Sequence, residues 1–206
     1  MVNHQVVETI KNEIVKQLGM VPVGVSNRHV HLSQPDFEVL FGEGKSLTKM
    51  KDLKQPGQYA AEETVTLEGP RGVIKKVRVL GPLRKTTQIE LSVSDSFKLG
   101  INIPVRESGK LEGSAAIKLV GPKGEVMLGE GAIAAYRHIH MPLDYAEEKA
   151  FHDGQIVSAE FDGIRSVIFK NVMIRVSDKY ALEMHLDVEE ANAAGIVNGD
   201  LLRILK

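Results

Sequence analysis

The 206-residue chain contains no cysteine. Disulfides, zinc ribbons, iron–sulfur clusters and thiol nucleophiles are therefore excluded, and any metal site must be built from His, Asp and Glu. The chain also lacks an excess of charge, with 26 basic against 27 acidic residues. Such a balance gives no reason to expect nucleic acid or an anionic membrane as partner. No apolar run approaches the roughly 18 residues that span a bilayer, and charged residues interrupt the N-terminal segment where a secretory signal would be apolar. Neither a Gly-x-Gly-x-x-Gly fingerprint nor a Walker loop is present, which removes support for nucleotide-binding α/β folds. These absences fit a cytoplasmic protein. What is present in ordinary amount is apolar material, 43% of residues, enough for a real core.

Residues Val6, Val7, Ile10, Ile14 and Leu18 recur at helical spacing, with charged residues between them and Gly19 as a stop. This amphipathic helix either caps its own domain or docks on another protein. Val21 to Leu32 reads as strand, and Ser33-Gln-Pro-Asp36 opens a short helix ending near Gly42, with Ser33 as cap and Asp36 closing a capping box. The middle of the chain is β-rich. Gly69-Pro-Arg-Gly72 and Gly121-Pro-Lys-Gly124 follow one turn formula between strands, which suggests a pseudo-repeat inside one barrel. Strands are expected near Gln155 to Phe161, Ser166 to Val176 and Asp200 to Leu205. A capping box at Asp187-Val-Glu-Glu190 opens a helix that stops at Gly195. Short strands with small capping helices point to barrels, not to a doubly wound sheet.

The chemistry lies in the histidines. Of seven, four form two His-x-His pairs, His29-Val-His31 and His138-Ile-His140. In a strand, residues i and i+2 share a face, so each pair presents two imidazoles to one point with the apolar middle residue buried behind. That is a metal-ligand arrangement, and neutral imidazole suits zinc, nickel, copper or iron. Further ligands must come from elsewhere. His185 lies at a strand end before the last capping box. Glu90 sits among apolar neighbours, where a carboxylate needs a partner. Glu62 and Glu63 are rivals that pattern does not separate, and His4 and His152 read as surface residues.

Four stretches carry a specific resemblance. Val25-Ser-Asn-Arg-His-Val-His-Leu32, Gly81-Pro-Leu-Arg-Lys-Thr-Thr-Gln-Ile-Glu90, Arg137-His-Ile-His-Met141 and Met184-His-Leu-Asp187 are similar, in order and spacing, to the motifs of the PduL family of phosphate propanoyltransferases. The likeness runs from Val21 to the C-terminus. It implies a mainly β fold of two small barrels capped by short helices. One barrel would combine 20–27 with 136–206, the other would be 28–135, and 1–19 would be the leading helix. It also implies two zinc ions per chain in a dinuclear site between the barrels. His29, His31 and Glu90 would hold one, with the sulfur of coenzyme A as fourth ligand. His138, His140 and His185 would hold the other, completed by water or phosphate. Arg84 would grip phosphate. Ser26, Lys51, Arg78, Leu80, His185 and Asn192 match positions lining the coenzyme A cleft.

The reaction so implied moves a short acyl group, propanoyl and also acetyl, between coenzyme A and inorganic phosphate. With no thiol to carry the acyl group, direct transfer is favoured. Lys51 or Lys85 would not replace the planar fork of Arg84 well. A zinc-dependent thioester hydrolase and a non-catalytic metal-binding scaffold are the rival readings of the same histidines. In relatives that work inside bacterial microcompartments a similar leading helix acts as a targeting signal. Shell or core proteins are thus candidate partners, and a homo-oligomer is compatible with the sequence.

Overall fold

The computed structural model of the protein describes residues 4–206, with first-helix side chains described at Val6, Val7 and from Glu13 onward. Helix α1 (His4–Gln17) is followed by Gly19 at φ 66, a left-handed stop that glycine adopts without cost. The chain divides into two compact units. Unit 1 comprises Met1–Ser26 with Arg137–Lys206, and unit 2 comprises Asn27–Tyr136. Strand β1 (Met20–Ser26) belongs to unit 1. The strand expected over Val21 to Leu32 is in fact two, because the chain leaves unit 1 after Ser26. The side chain of Asn27 accepts from Arg28 N–H and its carbonyl accepts from the His29 ring, and these local bonds replace a ladder there.

Unit 2 contains β2 (His29–His31), α2 (Gln34–Phe41), β3 (Lys49–Asp52), β4 (Tyr59–Glu68), β5 (Val73–Gly81), β6 (Gln88–Glu90), α3 (Val93–Leu99), β7 (Val105–Arg106), β8 (Ala115–Val120) and β9 (Glu125–Ala135). Its pairings close a ring, β5-β2-β6-β9-β8-β4 and back to β5, with β3 and β7 on its margins. Val30, Leu67, Val79, Ile89 and Leu119 fill the interior.

Unit 1 continues with β10 (His138–Met141), α4 (Leu143–Lys149), β11 (Ile156–Phe161), β12 (Val167–Val176), β13 (Glu183–Asp187), α5 (Val188–Ala194) and β14 (Leu201–Leu205). It forms the closed barrel β1-β13-β10-β12-β11-β14 around Ile139, Met141, Tyr145, Ile174 and Met184. Closure leaves no open sheet edge in this barrel. The C-terminal part of α1 belongs to this unit: Val15 is buried, and the Tyr145 hydroxyl donates to the Lys16 carbonyl at 3.1 Å.

The two rings have the same pairing pattern. In unit 2, β2 runs parallel to β5, β6 parallel to β9, and β2 antiparallel to β6. In unit 1, β10 runs parallel to β12, β13 parallel to β1, and β10 antiparallel to β13. Each ring is thus two copies of a strand–helix–strand–strand piece, and unit 1 takes its last strand, β1, from the start of the chain.

Within unit 2 the two Gly-Pro-basic-Gly turns do the same job. Arg71 N–H donates to Leu99 O at the end of α3, and Lys123 N–H donates to Leu40 O near the end of α2, both at 3.0 Å. Each turn thereby satisfies a helix carbonyl that has no intrahelical partner. The approach requires glycine: a Cβ on Gly69 would lie 2.3 Å from Leu99 O, and one on Gly121 would lie 2.4 Å from Leu40 O.

The helix starts follow sequence with one correction. Asp187 and Glu190 form a full capping box on α5. On α2, Ser33 caps Asp36 N–H, but the reciprocal half is missing, since Ser33 N–H donates to Thr87 Oγ1 instead. Asp36 is engaged by the hydroxyls of Ser33 and Thr87. Among the described residues no helix is long and apolar enough to cross a membrane.

Candidate functional site

Four polar–apolar–polar triplets sit at equivalent places in the two rings: His29-Val-His31 on β2, Gln88-Ile-Glu90 on β6, His138-Ile-His140 on β10 and Glu183-Met-His185 on β13. The middle residues Val30, Ile89, Ile139 and Met184 are fully buried. Strand alternation then sends both flanking side chains of each triplet to the opposite face. The registers match as well. His29 lies opposite Glu90 and His31 opposite Gln88, just as His138 lies opposite His185 and His140 opposite Glu183.

This geometry brings together two groups of potential metal ligands, His29 with His31 and Glu90 in unit 2, and His138 with His140 and His185 in unit 1. In each group the ligand atoms lie within 4.8 Å of one another. In unit 1, Nε2 of His138 and Nε2 of His140 approach to 3.0 Å inside the protein. Two imidazole nitrogens turned toward each other need a shared proton or a shared cation. His185 Nε2 is 2.9 Å from Glu183 Oε2, and the Tyr180 ring meets His140 with centroids 4.2 Å apart. Gly24 makes room for this corner, because a Cβ there would lie 2.9 Å from Glu183 Oε1.

In unit 2, His29 Nδ1 donates to the Asn27 carbonyl at 2.8 Å, which directs Nε2 toward Glu90 Oε2 at 3.5 Å. A backbone acceptor on one ring nitrogen that frees the other for a metal is the usual outer-shell arrangement of a metal-binding histidine. Burial, the largest influence on His29, opposes its charging. The charge and hydrogen bond of Glu90 and the Asn27 carbonyl more than offset it, so its pKa is raised above 6.5. His31 is driven well below 6.5 by burial, then by the charges of His29 and Arg84. Its Nδ1 is buried without a well-formed hydrogen bond among the described residues, the Leu80 carbonyl giving only a minor polar contact. A neutral imidazole, an imidazole oriented by a carbonyl and a carboxylate make a donor set suited to zinc.

Arg84 belongs to this corner. Its backbone N–H donates to Leu32 O at 2.8 Å, beside the isolated bridge between Ser33 and Arg84. Its Nη1 donates to Ser108 Oγ at 3.2 Å. Ser108 Oγ also accepts from Gln88 Nε2 at 2.8 Å, and the same amide nitrogen donates to Glu90 Oε1 at 2.6 Å. The Gln88 carbonyl oxygen is held by Gly109 N–H at 2.7 Å. A continuous polar chain therefore runs from the Arg84 guanidinium to the Glu90 carboxylate.

The other sequence-derived positions are distributed over both units. Ser26 ends β1, half-buried and opposite Asp187, while Asn192 is exposed on α5. Lys51 is exposed on β3, and Leu80 is half-buried on β5. Arg78 lies beside His29 across the parallel β5–β2 pair and spends Nη1 on the carbonyls of Ala61 and Glu62, where the register of β4 shifts. His185 is inside β13, not at a strand end. His152 is exposed, Glu62 and Glu63 join neither ligand group, and the His4 side chain lies outside the described residues.

Sequence reasoning missed Gln88, Ser108, Tyr180 and Glu183. Gln88 and Glu183 were accessible to the i, i+2 rule that selected the histidine pairs, since each stands two residues from a proposed ligand on one strand face. Ser108 and Tyr180 reach the site from loops and left no periodic signal.

The family model for phosphate propanoyltransferase matches residues 22–197 of the chain. The chain is 58% identical over 187 residues to a phosphate propanoyltransferase of Rhodobacter capsulatus, covering 91% of this chain and 87% of that one. It is 53% identical over 192 residues to the phosphate propanoyltransferase of Thermotoga maritima, with 93% and 91% covered. It is also 53% identical over 180 residues to that of Salmonella typhimurium, with 86% and 85% covered.

Proposed function

The chain belongs to the phosphate propanoyltransferase family, and from that premise we propose that it moves propanoyl, and also acetyl, between coenzyme A and inorganic phosphate, reversibly, with one zinc ion at each of its two three-ligand groups. The observation that carries the metal half of this reading is the pair of equivalent ligand clusters. Each is built on the same strand pair in the same register.

In the forward direction a phosphate oxygen attacks the thioester carbonyl carbon. The new C–O bond forms, the C–S bond breaks, and its electron pair leaves on sulfur. Zinc, when bound, supplies a Lewis acid for the leaving thiolate and for the developing oxyanion. The unit 2 ligands His29, His31 and Glu90 serve the sulfur, and the unit 1 ligands His138, His140 and His185 serve phosphate. Arg84 offers phosphate a planar, always-charged fork of donors. The chain Arg84–Ser108–Gln88–Glu90 holds that fork in fixed relation to a metal ligand, so little reorganisation remains when charge develops. Ser26, Lys51, Arg78, Leu80, His185 and Asn192 are assigned to coenzyme A. With no cysteine to carry the acyl group, direct transfer is favoured over relay through a Ser or a carboxylate.

The first helix is proposed to carry a separate role, docking on shell or core proteins of a microcompartment. In support, Val6, Val7 and Ile14 are exposed on α1, and Leu18 is exposed in the turn just after it. The deciding assay is thiol release from propanoyl-coenzyme A with and without phosphate. Strict phosphate dependence, lost on chelation and restored by zinc, is expected. Release without phosphate would make the protein a hydrolase, and no release would leave a metal-binding scaffold.

A further inference from the structure

Each ligand group is flanked by the same ion pair. Arg28 immediately precedes His29, and its Nε lies 2.7 Å from Asp95 Oδ2. Arg137 immediately precedes His138, and its Nε lies 2.7 Å from Glu190 Oε1. The acids hold equivalent posts. Ser92 caps α3 two residues after Glu90, and Asp95 N–H donates to that cap. Asp187 caps α5 two residues after His185, and it accepts from Glu190 N–H. In unit 1 the loop closes fully, because Glu190 Oε2 accepts from Asp187 N–H at 3.3 Å while Oε1 takes Arg137. Arg137 is further fixed over the Phe169 ring, 5.5 Å from its centroid, and by the Lys170 carbonyl.

We propose that Arg28 and Arg137 are positioning residues for metal binding. Each ties the start of the strand bearing the histidine pair to the helix cap that follows the strand bearing the third ligand. The two strands are joined by a short ladder of only three opposed residues. Such a ladder can shear, and a shear would open the distance between His29 and Glu90, or between His138 and His185. A charge-assisted bond anchored at a helix cap resists that movement from just outside the ligand set. That the device occurs twice, with Asp in one unit and Glu in the other, ties it to the ligand geometry and not to one helix. This inference rests on the two-zinc reading above.

The test compares wild type with Glu190→Gln and Arg137→Lys in unit 1, and with Asp95→Asn and Arg28→Lys in unit 2. Gln at position 190 can still accept the Asp187 N–H in a capping box, so helix capping survives while the charge is lost. Three readouts are taken: zinc retained against a chelator, the visible spectrum of the cobalt-loaded protein, and the rise in melting temperature on adding zinc to metal-free protein. Each variant should lose metal from one site, at least tenfold more easily than wild type, and keep the other. Its cobalt spectrum should change, and its zinc-induced rise should shrink by more than its metal-free melting temperature falls. A merely structural ion pair would lower the metal-free and zinc-loaded forms alike and leave chelator resistance and spectrum unchanged, and that result would overturn the proposal. Wild type holding two zinc ions alongside variants with unaltered retention would do the same. Wild type that binds no zinc would instead remove the metal reading itself, and the proposal with it.

Discussion

Glu90 holds in unit 2 the register position that His185 holds in unit 1, each opposite the first histidine of its pair. The two ligand sets therefore differ by one negative charge in otherwise matching frames. Protein purified without chelator should contain close to two zinc ions per chain. His29→Ala and His138→Ala should each release one, and His152→Ala none. Elemental analysis checks this, and equal losses at His152 and His138 would mean the ligand set is misread.

Arg84→Lys keeps a positive charge but loses the planar fork proposed above to bind phosphate. Saturation with phosphate should become poorer while coenzyme A binding changes little. Arg84→Ala should cost about 2–4 kcal/mol of transition-state stabilisation, the size typical of a lost oxyanion donor. Steady-state kinetics varying phosphate at fixed propanoyl-coenzyme A measures it. Wild-type phosphate kinetics in Arg84→Ala would place the anion elsewhere.

The pH dependence of metal uptake at the unit 2 site has a definite sign. His31 is held neutral well below 6.5, so it presents a lone pair throughout the physiological range. His29 keeps its proton to a pH above 6.5 because Glu90 and the Asn27 carbonyl outweigh burial. Metal must displace that proton. Zinc affinity should be flat above the raised pKa of His29 and fall about tenfold per pH unit below it. Titration of the His138→Ala protein, in which this site stands alone, between about pH 8 and pH 6 gives the slope. A flat affinity across that range would show that His29 binds metal without losing a proton.

Gly121→Ala should destabilise unit 2 without touching a ligand. The new methyl would lie 2.4 Å from Leu40 O, in the contact where the β8–β9 turn caps α2. Backbone on both sides leaves little room to yield, so a loss of about 1–3 kcal/mol is expected. Urea unfolding measures it. Gly129→Ala, with open space around its added methyl, serves as the control.

The histidine pairs were legible because strand alternation converts an i, i+2 spacing into a shared face whatever the surrounding fold. The capping box at Asp187 and Glu190 was legible because it is local, and the one at Ser33 failed because Thr87, distant in sequence, took the N–H that Asp36 was expected to receive. The break at Asn27 left a trace that the sequence reading passed over: apolar residues alternate on odd positions through Val21, Val23 and Val25 and resume out of phase at Val30 and Leu32. The Arg28–Asp95 pair spans 67 residues and has no periodic trace. Repetition was read from the two glycine turns of unit 2, whereas the deeper repeat lies in strand order and register, which turn chemistry does not encode.

Strand β1 has a consequence for how the chain is made. Its partners are β13 and β14, so the first strand synthesised must pair with the last two. During synthesis all of unit 2 emerges before those partners exist, and its ring can close from its own residues. At ribosomal speeds of about 5–20 residues per second, β1 waits on the order of ten seconds or more with Val21 and Val23 unburied. The histidines of unit 2 can thus be assembled before β13, which carries His185, is complete. On the proposed two-zinc reading, the unit 2 ligands are complete in the chain before the third unit 1 ligand has been made.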